Sequence, residues 1–461
     1  MVALTDRDWS PGFTTPIVVL VAAAFVFFQP VGEILAADPL PTFDAKKTYD
    51  LGSLVELGMA NNPKTRSAFF TARAAGAAAR EARAPYFPKV SAEFLGGADK
   101  WYTPATVAPD VFRRQQATSV LSIEYLLLDF GRRSADVRQA VAMFEAAGLL
   151  YDRKVQEVVF AVQSRYFAHE AALSKAAATA SLLEAARTAM ETVRLEVENG
   201  LSAKPELLRA RRNVFDAEYE LEAAKALTRN TLGELCVAAG LPANAPLKLL
   251  PAGPAEVSGG LRGDADGLIR RALEVRPDLA ARAEEVRASI AATDRATADF
   301  FPEVRLEGNY GYSAFQYDSE TGPKSGSNAA GINGYGAFLN VKWDLFDGFE
   351  RVERVRKRAD EEKAVKENLE AARLDTSRDV WTTYHDSLSA GRRVDFAEAF
   401  VASAQENFSA IEAASRTGLS QATEVTEAAA QLAQARFERA EALADYSTTL
   451  ARLALAVVTV R

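Results

Sequence analysis

The stretch EYLLLDFGRR, residues 124–133, carries the residue types of an active-site turn: an acid, a small hinge residue and two adjacent cations. Asp129-Phe130-Gly131 is also a protein-kinase signature. A second copy, KWDLFDGFER at 342–351, sets Asp347 and Gly348 in the same surroundings, and the kinase turn does not come in pairs. Other candidates for chemistry are sparse. The single cysteine, Cys236, lies in the apolar helical stretch GELCVAAG, where it is expected to pack rather than react, and it has no partner for an intramolecular disulfide. His169 and His385 are the only histidines, and neither has a second histidine or a cysteine at ligand spacing. With no nucleophile, base and metal constellation, the expectation is a protein that is not an enzyme and takes no cofactor.

The elements that position these residues are written twice. LVELGMANNPKTRSAFFTARAA from Leu54 matches LIRRALEVRPDLAARAEEVRAS from Leu268, so that Pro63 aligns with Pro277, and Pro88 aligns with Pro302 at the same offset of 214 residues. Asp129 and Asp347, then Gly200 and Gly418, align at an offset of 218. Landmarks in one order with one small drift make the chain two copies of a unit of about 190 residues.

Within each copy the hydrophobic period changes. Residues 51–84 read as an Ala-rich helix that Pro85 and Pro88 end. Strands follow, with Leu339, Val341, Trp343 and Leu345 on one face and Asn340, Lys342 and Asp344 on the other. Leu121, Ile123, Tyr125 and Leu127 stand in the same way opposite Ser122 and Glu124. These patterns predict β-hairpins over about 86–130 and 301–347, with the polar stretches 102–116 and 317–334 read as their loops. From Gly131 a helical pattern runs to 199, which at roughly 1.5 Å per residue is about 100 Å. Val137, Val141, Phe144, Gly148, Tyr151, Val155, Val158 and Val162 form a heptad-like seam along it. Gly200 stops this helix and a returning one runs to about 239; the second copy repeats the plan over 348–461.

Bulk composition agrees with a folded protein, at 25% charged and 48% hydrophobic residues. A net charge of −8 argues against a nucleic-acid partner, which needs a basic face. IVVLVAAAFVFF at 17–28 is shorter than the roughly 20 residues of a membrane-spanning helix but suits a secretory leader. The expected organisation is therefore a signal peptide over 1–37, repeat 1 over 38–240, a linker over 241–267 and repeat 2 over 268–461. Two hairpins supply four strands, which leave open edges and an apolar face and are too few to close a barrel, so other chains must complete them.

The strand-to-helix corners LLDFGRR and LFDGFER, the tips ENGLSAKPELLRA and RTGLSQATEVTEA, and the NNP and VRP helices in register resemble the TolC family of outer-membrane factors over about 45–461. The resemblance implies a mainly α fold with a β-barrel portion. Three copies would form a twelve-strand outer-membrane barrel over a twelve-helix periplasmic tunnel. Such proteins are the exit ducts of tripartite efflux pumps and type I secretion systems in the Gram-negative outer membrane. The implied partners are two further copies, a periplasmic adaptor, an inner-membrane transporter of RND, ABC or MFS type, and outer-membrane lipid. By the same resemblance, Glu424 and Glu427 would line a periplasmic constriction. Adaptor tips would touch Gly200, Leu201, Ser202, Gly418, Leu419 and Ser420, and the corners would hold Asp129, Gly131, Asp347 and Gly348. Ser202 or Ser420 would cap the returning helices. One departure is Ser420, which stands where the family archetype has a latching arginine; Lys204, Arg209 and Arg416 are the nearby cations. The alternative is a secreted or periplasmic coiled-coil scaffold without channel activity, which has no need of amphipathic strands.

Overall fold

The computed structural model of the protein describes residues 43–103, 110–250, 264–319, 326–417 and 419–457. The expected leader, Gly418 and residues 251–263 of the inter-repeat linker lie outside these residues. From Asp44 onward the chain forms one compact unit.

Each repeat begins with two short helices rather than the single helix read from the sequence. In repeat 1 these are α1 (Leu51–Asn61) and α2 (Pro63–Glu81). Pro63 has no N–H to donate and keeps its predecessor extended, with Asn62 at φ −66°, ψ 125°. The Asn62 side chain then caps α2 by accepting from Lys64 N at 2.9 Å. A two-residue strand ahead of α1, β1 (Thr48–Tyr49), pairs in parallel with β4 (Lys248–Leu249) from the linker. Repeat 2 begins likewise with α5 (Ala265–Val275) and α6 (Pro277–Ala298), broken at Pro277 with Arg276 extended. Asp50 and Asp264, again 214 residues apart, cap α1 and α5.

The strands β2 (Lys89–Thr103), β3 (Asp110–Leu128), β5 (Glu303–Ser319) and β6 (Gly326–Lys342) form one antiparallel sheet in the order β2-β3-β5-β6. Much of what the sequence presents as loop is therefore strand. The apolar alternation fades where the residue pattern turns polar, but backbone pairing needs no apolar side chain and continues. The repeats join at β3–β5, while β2 and β6 are the sheet's open edges. Lys89 pairs with Glu124 in the first hairpin and Glu303 with Lys342 in the second, the same register with the charges exchanged.

Below the sheet run α3 (Arg132–Glu198), α4 (Lys204–Ala238), α7 (Glu350–Arg416) and α8 (Ala422–Val457). The two long helices, α3 and α7, each have 67 residues, about 100 Å at 1.5 Å per residue. α3 packs along α1, α2 and α4 of its own repeat and along α6 and α8 of the other; α7 packs on α5, α6 and α8.

Small side chains dominate these contacts. On the half of α3 nearer the sheet the buried line is Ala135, Ala142, Ala146, Val158, Val159, Val162, Tyr166 and His169, and it continues to Val193. Of the seam expected from the sequence, only Val158 and Val162 are fully buried, and Phe144 is exposed over much of its surface. A two-helix seam is the wrong template, because α3 meets neighbours from both repeats and alanines occupy the close approaches. Phe144 lies over Gly76 of α2, where an added Cβ would come within 3.0 Å of the ring. Among the described residues no helix is long and apolar enough to cross a membrane.

Candidate channel surfaces: corners, tips and sheet

At the first corner the chain leaves β3 and enters α3 through two residues with positive φ, Phe130 at 51° and Gly131 at 101°. The second corner uses the same pair in reverse order, Gly348 at 68° and Phe349 at 72°. A left-handed phenylalanine is an uncommon conformation that its surroundings must hold. Phe130 stacks on Phe301 with centroids 5.3 Å apart, and Phe349 packs edge-on against Phe346 at 5.5 Å. Asp129 and Asp347 serve the helix starts from two residues outside: Asp129 accepts from Arg133 N at 2.7 Å and Asp347 from Arg351 N at 3.1 Å.

Sequence reasoning missed the arginines. Arg133 Nε donates to Asp129 at 3.0 Å, and its guanidinium donates to the carbonyls of Leu126 at 2.7 Å, Leu127 at 3.2 Å and Pro85 at 3.2 Å. It also lies 4.7 Å from the centroid of the Tyr86 ring. Arg351 repeats this in the second corner, donating to Asp347 at 2.7 Å and to the Asp299 carbonyl at 3.4 Å, with its guanidinium over Phe300. The signal was the pair of Asp-x-x-x-Arg spacings, Asp129/Arg133 and Asp347/Arg351. One fork thus ties the strand end, the helix start and the end of the preceding short helix together.

A further charged group links the repeats. Arg132 reaches Asp299 at 3.0 Å and Glu303 at 3.2 Å, and Arg354 reaches Asp299 at 2.8 Å. On the sheet, Arg305 bridges Glu303 and Glu124, which relieves the like-charge pair Glu124–Glu307 in the β3–β5 register.

Of the residues first considered for chemistry, Cys236 and His169 have packing roles, whereas His385 is exposed beside Trp381. Cys236 is buried, and burial pushes its thiol above the ordinary cysteine range, away from reactivity. His169 is buried between α3 and α4, with Nδ1 3.0 Å from Thr231 Oγ1. Burial lowers its pKa, so the folded state favours the neutral ring. The His169 contribution is complete above the ordinary histidine pKa and is lost as pH falls through that value toward the lowered folded one. Thermal unfolding between pH 7.5 and 5 should show a decrease in stability on acidification that is smaller in His169→Gln.

At the first tip α3 ends in a Schellman turn. Gly200, at φ 71°, donates to Val197 O at 3.1 Å, and Leu201 donates to Glu196 O at 2.8 Å. The second tip repeats the longer bond, Leu419 N to Ala414 O at 2.9 Å. Leu201 and Leu419 are 81% and 84% exposed, apolar side chains held out at the ends of the hairpins. The N-cap of α4 is Ala203, extended and with no side-chain bond, not Ser202 as expected; Pro205 sits in the first turn, where its missing N–H costs no helix bond. At the second tip Glu424 turns back, accepting from Gln421 N at 3.3 Å and from the Ser420 hydroxyl. This is the reciprocal arm of a capping box. Glu427, one turn further on, is exposed. Arg209 pairs with Glu206 and Arg416 with Glu412, each within its own helix.

The sheet's two faces differ. Val90, Phe94, Ile123, Leu127, Leu306, Tyr310, Leu339, Val341 and Trp343 are exposed on one face. Lys89, Glu93, Glu124, Glu307, Asn340 and Lys342 alternate onto the other. At its lower border Phe87, Phe130, Phe301, Trp343, Phe346 and Phe349 form an exposed aromatic fringe, as at the interfacial edge of a transmembrane barrel.

A sheet with an apolar face and an aromatic border, standing on antiparallel helices of about 100 Å, is the architecture of an outer-membrane channel protein with a helical extension. The chain belongs to the outer membrane efflux protein family, whose model matches residues 54–241 and 268–457, one segment in each repeat. It is similar to Protein CyaE of Bordetella pertussis, 26% identical over 349 residues that cover 75% of this chain and 70% of that protein. Among solved structures, the outer membrane channel CmeC of Campylobacter jejuni superimposes with a TM-score of 0.74 at 17% identity, covering 88% of this chain and 85% of that one. The outer-membrane channel OprN does so with a TM-score of 0.73 at 21% identity, covering 91% and 97%.

Proposed function

We propose that the protein is the channel subunit of a tripartite efflux pump or type I secretion system, and that it conducts substrate passively from the periplasm-spanning complex to the exterior. Three copies close twelve strands into one barrel, with their helices forming a periplasmic tunnel below it. The observation that carries this reading is the sheet itself: an exposed apolar face and two open edges in a chain whose helices already have partners. The described part of the 241–267 linker, paired to β1 beside the short helices, fits a belt around the tunnel. Exposed Leu201 and Leu419, with their flanking Gly200, Ser202, Gly418 and Ser420, are the surface for the periplasmic adaptor, which brings the inner-membrane transporter with it. Membrane fractionation tests the assembly: the protein should require detergent and migrate as a trimer on native gels, and a water-soluble monomer would leave only the scaffold reading.

Glu424 and Glu427 are the proposed ring at the tunnel's end, where three copies would favour cations. Because Glu424 also caps α8, alanine would disturb the helix start, whereas glutamine keeps the capping arm and removes the charge. The Glu424→Gln, Glu427→Gln double variant should therefore fold and assemble while its reversal potential in a salt gradient moves toward zero. An unchanged cation preference would remove both residues from the constriction.

A further inference from the structure

The joint between repeats contains a template for the joint between copies. β3 maps onto β6 by adding 218 and β5 maps onto β2 by subtracting 214, and the two hairpins keep identical register under these offsets. The observed β3–β5 pairs Glu124–Glu307, Ser122–Asn309, Leu121–Tyr310 and Val120–Gly311 therefore project onto β6 and the β2 edge of a second copy. They become Lys342–Glu93, Asn340–Leu95, Leu339–Gly96 and Phe338–Gly97.

We propose that the β6 edge recognises the β2 edge of another copy of this chain in that register, locked by the salt bridges Lys342–Glu93 and Glu350–Lys89 between copies. This rests on the channel reading above and specifies its interface.

Three features of the residues support it. First, the like-charged Glu124–Glu307 pair, which needs Arg305 as mediator within the chain, projects onto a pair of opposite charges, and Ser91 stands where the mediator would be. Second, the ion pair Arg132–Glu303, observed at 3.2 Å, projects onto Glu350–Lys89. Both signs reverse together, so attraction survives where a change at one end alone would have produced repulsion. Third, Phe338 and Leu339, both well exposed in the single chain, fall opposite Gly97 and Gly96, around which an added Cβ would meet nothing within 4 Å. A slip of two residues would place Lys342 against Ser91 or Leu95 and lose each of these matches. Lys342 lies 4.0 Å from Asp344, and Glu350 pairs with Arg354 within the chain, so each charge would enter a wider network at the joint.

Cysteine pairs in a full-length Cys236→Ala background test the register. Lys342→Cys is combined in turn with Ser91→Cys, Glu93→Cys and Leu95→Cys; β6 and β2 are opposite edges of one sheet, so cross-links report contacts between copies. After oxidation, covalent oligomers on denaturing gels should be most abundant for the Glu93→Cys pair, about fivefold or more over the other two, since a disulfide tolerates only a narrow Cα separation. A maximum at Ser91→Cys or Leu95→Cys in protein that is trimeric on native gels would overturn the register and leave the channel reading standing. Monomers throughout, for the parent chain as well, would overturn both. Charge exchange gives a second measurement that needs no cysteine. Lys89→Glu and Glu350→Lys should each speed dissociation of the trimer in dodecyl sulfate, and the double exchange should dissociate about twofold or more slower than either single variant, short of the parent rate because Glu124 and Arg354 then face like charges. A double variant no more stable than either single one would contradict the Glu350–Lys89 bridge.

Discussion

Arg133→Ala is expected to destabilise the folded chain by about 3 kcal/mol or more, because it removes one partner of a largely buried ion pair and leaves the other in place. The side chains of Arg133 and Asp129 are only 11% and 7% exposed. The loss is not confined to that pair. The same guanidinium holds the last carbonyls of β3, the Pro85 carbonyl beyond α2 and the Tyr86 ring. Without it, the left-handed Phe130 and Gly131 lose the group that fixes the angle between strand and helix. Arg133→Lys keeps the charge but has no fork to reach several acceptors, and should fall between the two. Thermal unfolding in detergent, followed by circular dichroism, should rank parent, lysine and alanine in that order. Equal midpoints would show that the corner is held by other means.

Gly240→Ala is the second large effect, also expected at about 3 kcal/mol or more, from a left-handed alanine and a backbone collision together. Gly240 follows α4 at φ 77° in a Schellman turn, donating to Val237 O at 3.0 Å. A Cβ there would lie 2.7 Å from both Asn61 C and Asn62 N, backbone atoms at the break between α1 and α2. The same break is fixed from the other side by Asn62 Nδ2, which donates to Ala238 O at 2.9 Å. This contact seats the short helices end to end on α4, so that together they match the length of α3. Gly200→Ala is the control, since Gly200 has φ 71° but open space around it. It should cost only the conformational term, about 1–2 kcal/mol. The difference between the two variants, read from the same unfolding experiment, isolates the collision. Similar losses would mean that the α1–α2 break moves aside easily.

The sequence carried the architecture further than its details. Duplication made the corners and tips legible, because Asp129 with Asp347 and Gly200 with Gly418 recur in order, and the period-2 faces located the sheet. The helix breaks were missed because a proline at the first position of a helix and one that interrupts a helix look alike until Asn62 or Arg276 is seen extended. The strands ran longer than their apolar alternation, which reports only the part of a ladder that has an apolar face. Arg133 and Gly240 act on residues far away in the chain, Pro85 and Asn61, so no local pattern announces them. Glu424 was visible as an acidic residue in the first turn, but its fold-back onto Gln421 N depends on side-chain geometry.

Conductance of the purified full-length protein in planar lipid bilayers tests the central claim most directly. Trimers inserted from detergent should give discrete unitary steps, because in the proposed assembly strands from three copies enclose a polar-faced lumen. A protein that associates with the bilayer yet passes no unitary current above the detergent background would contradict the channel.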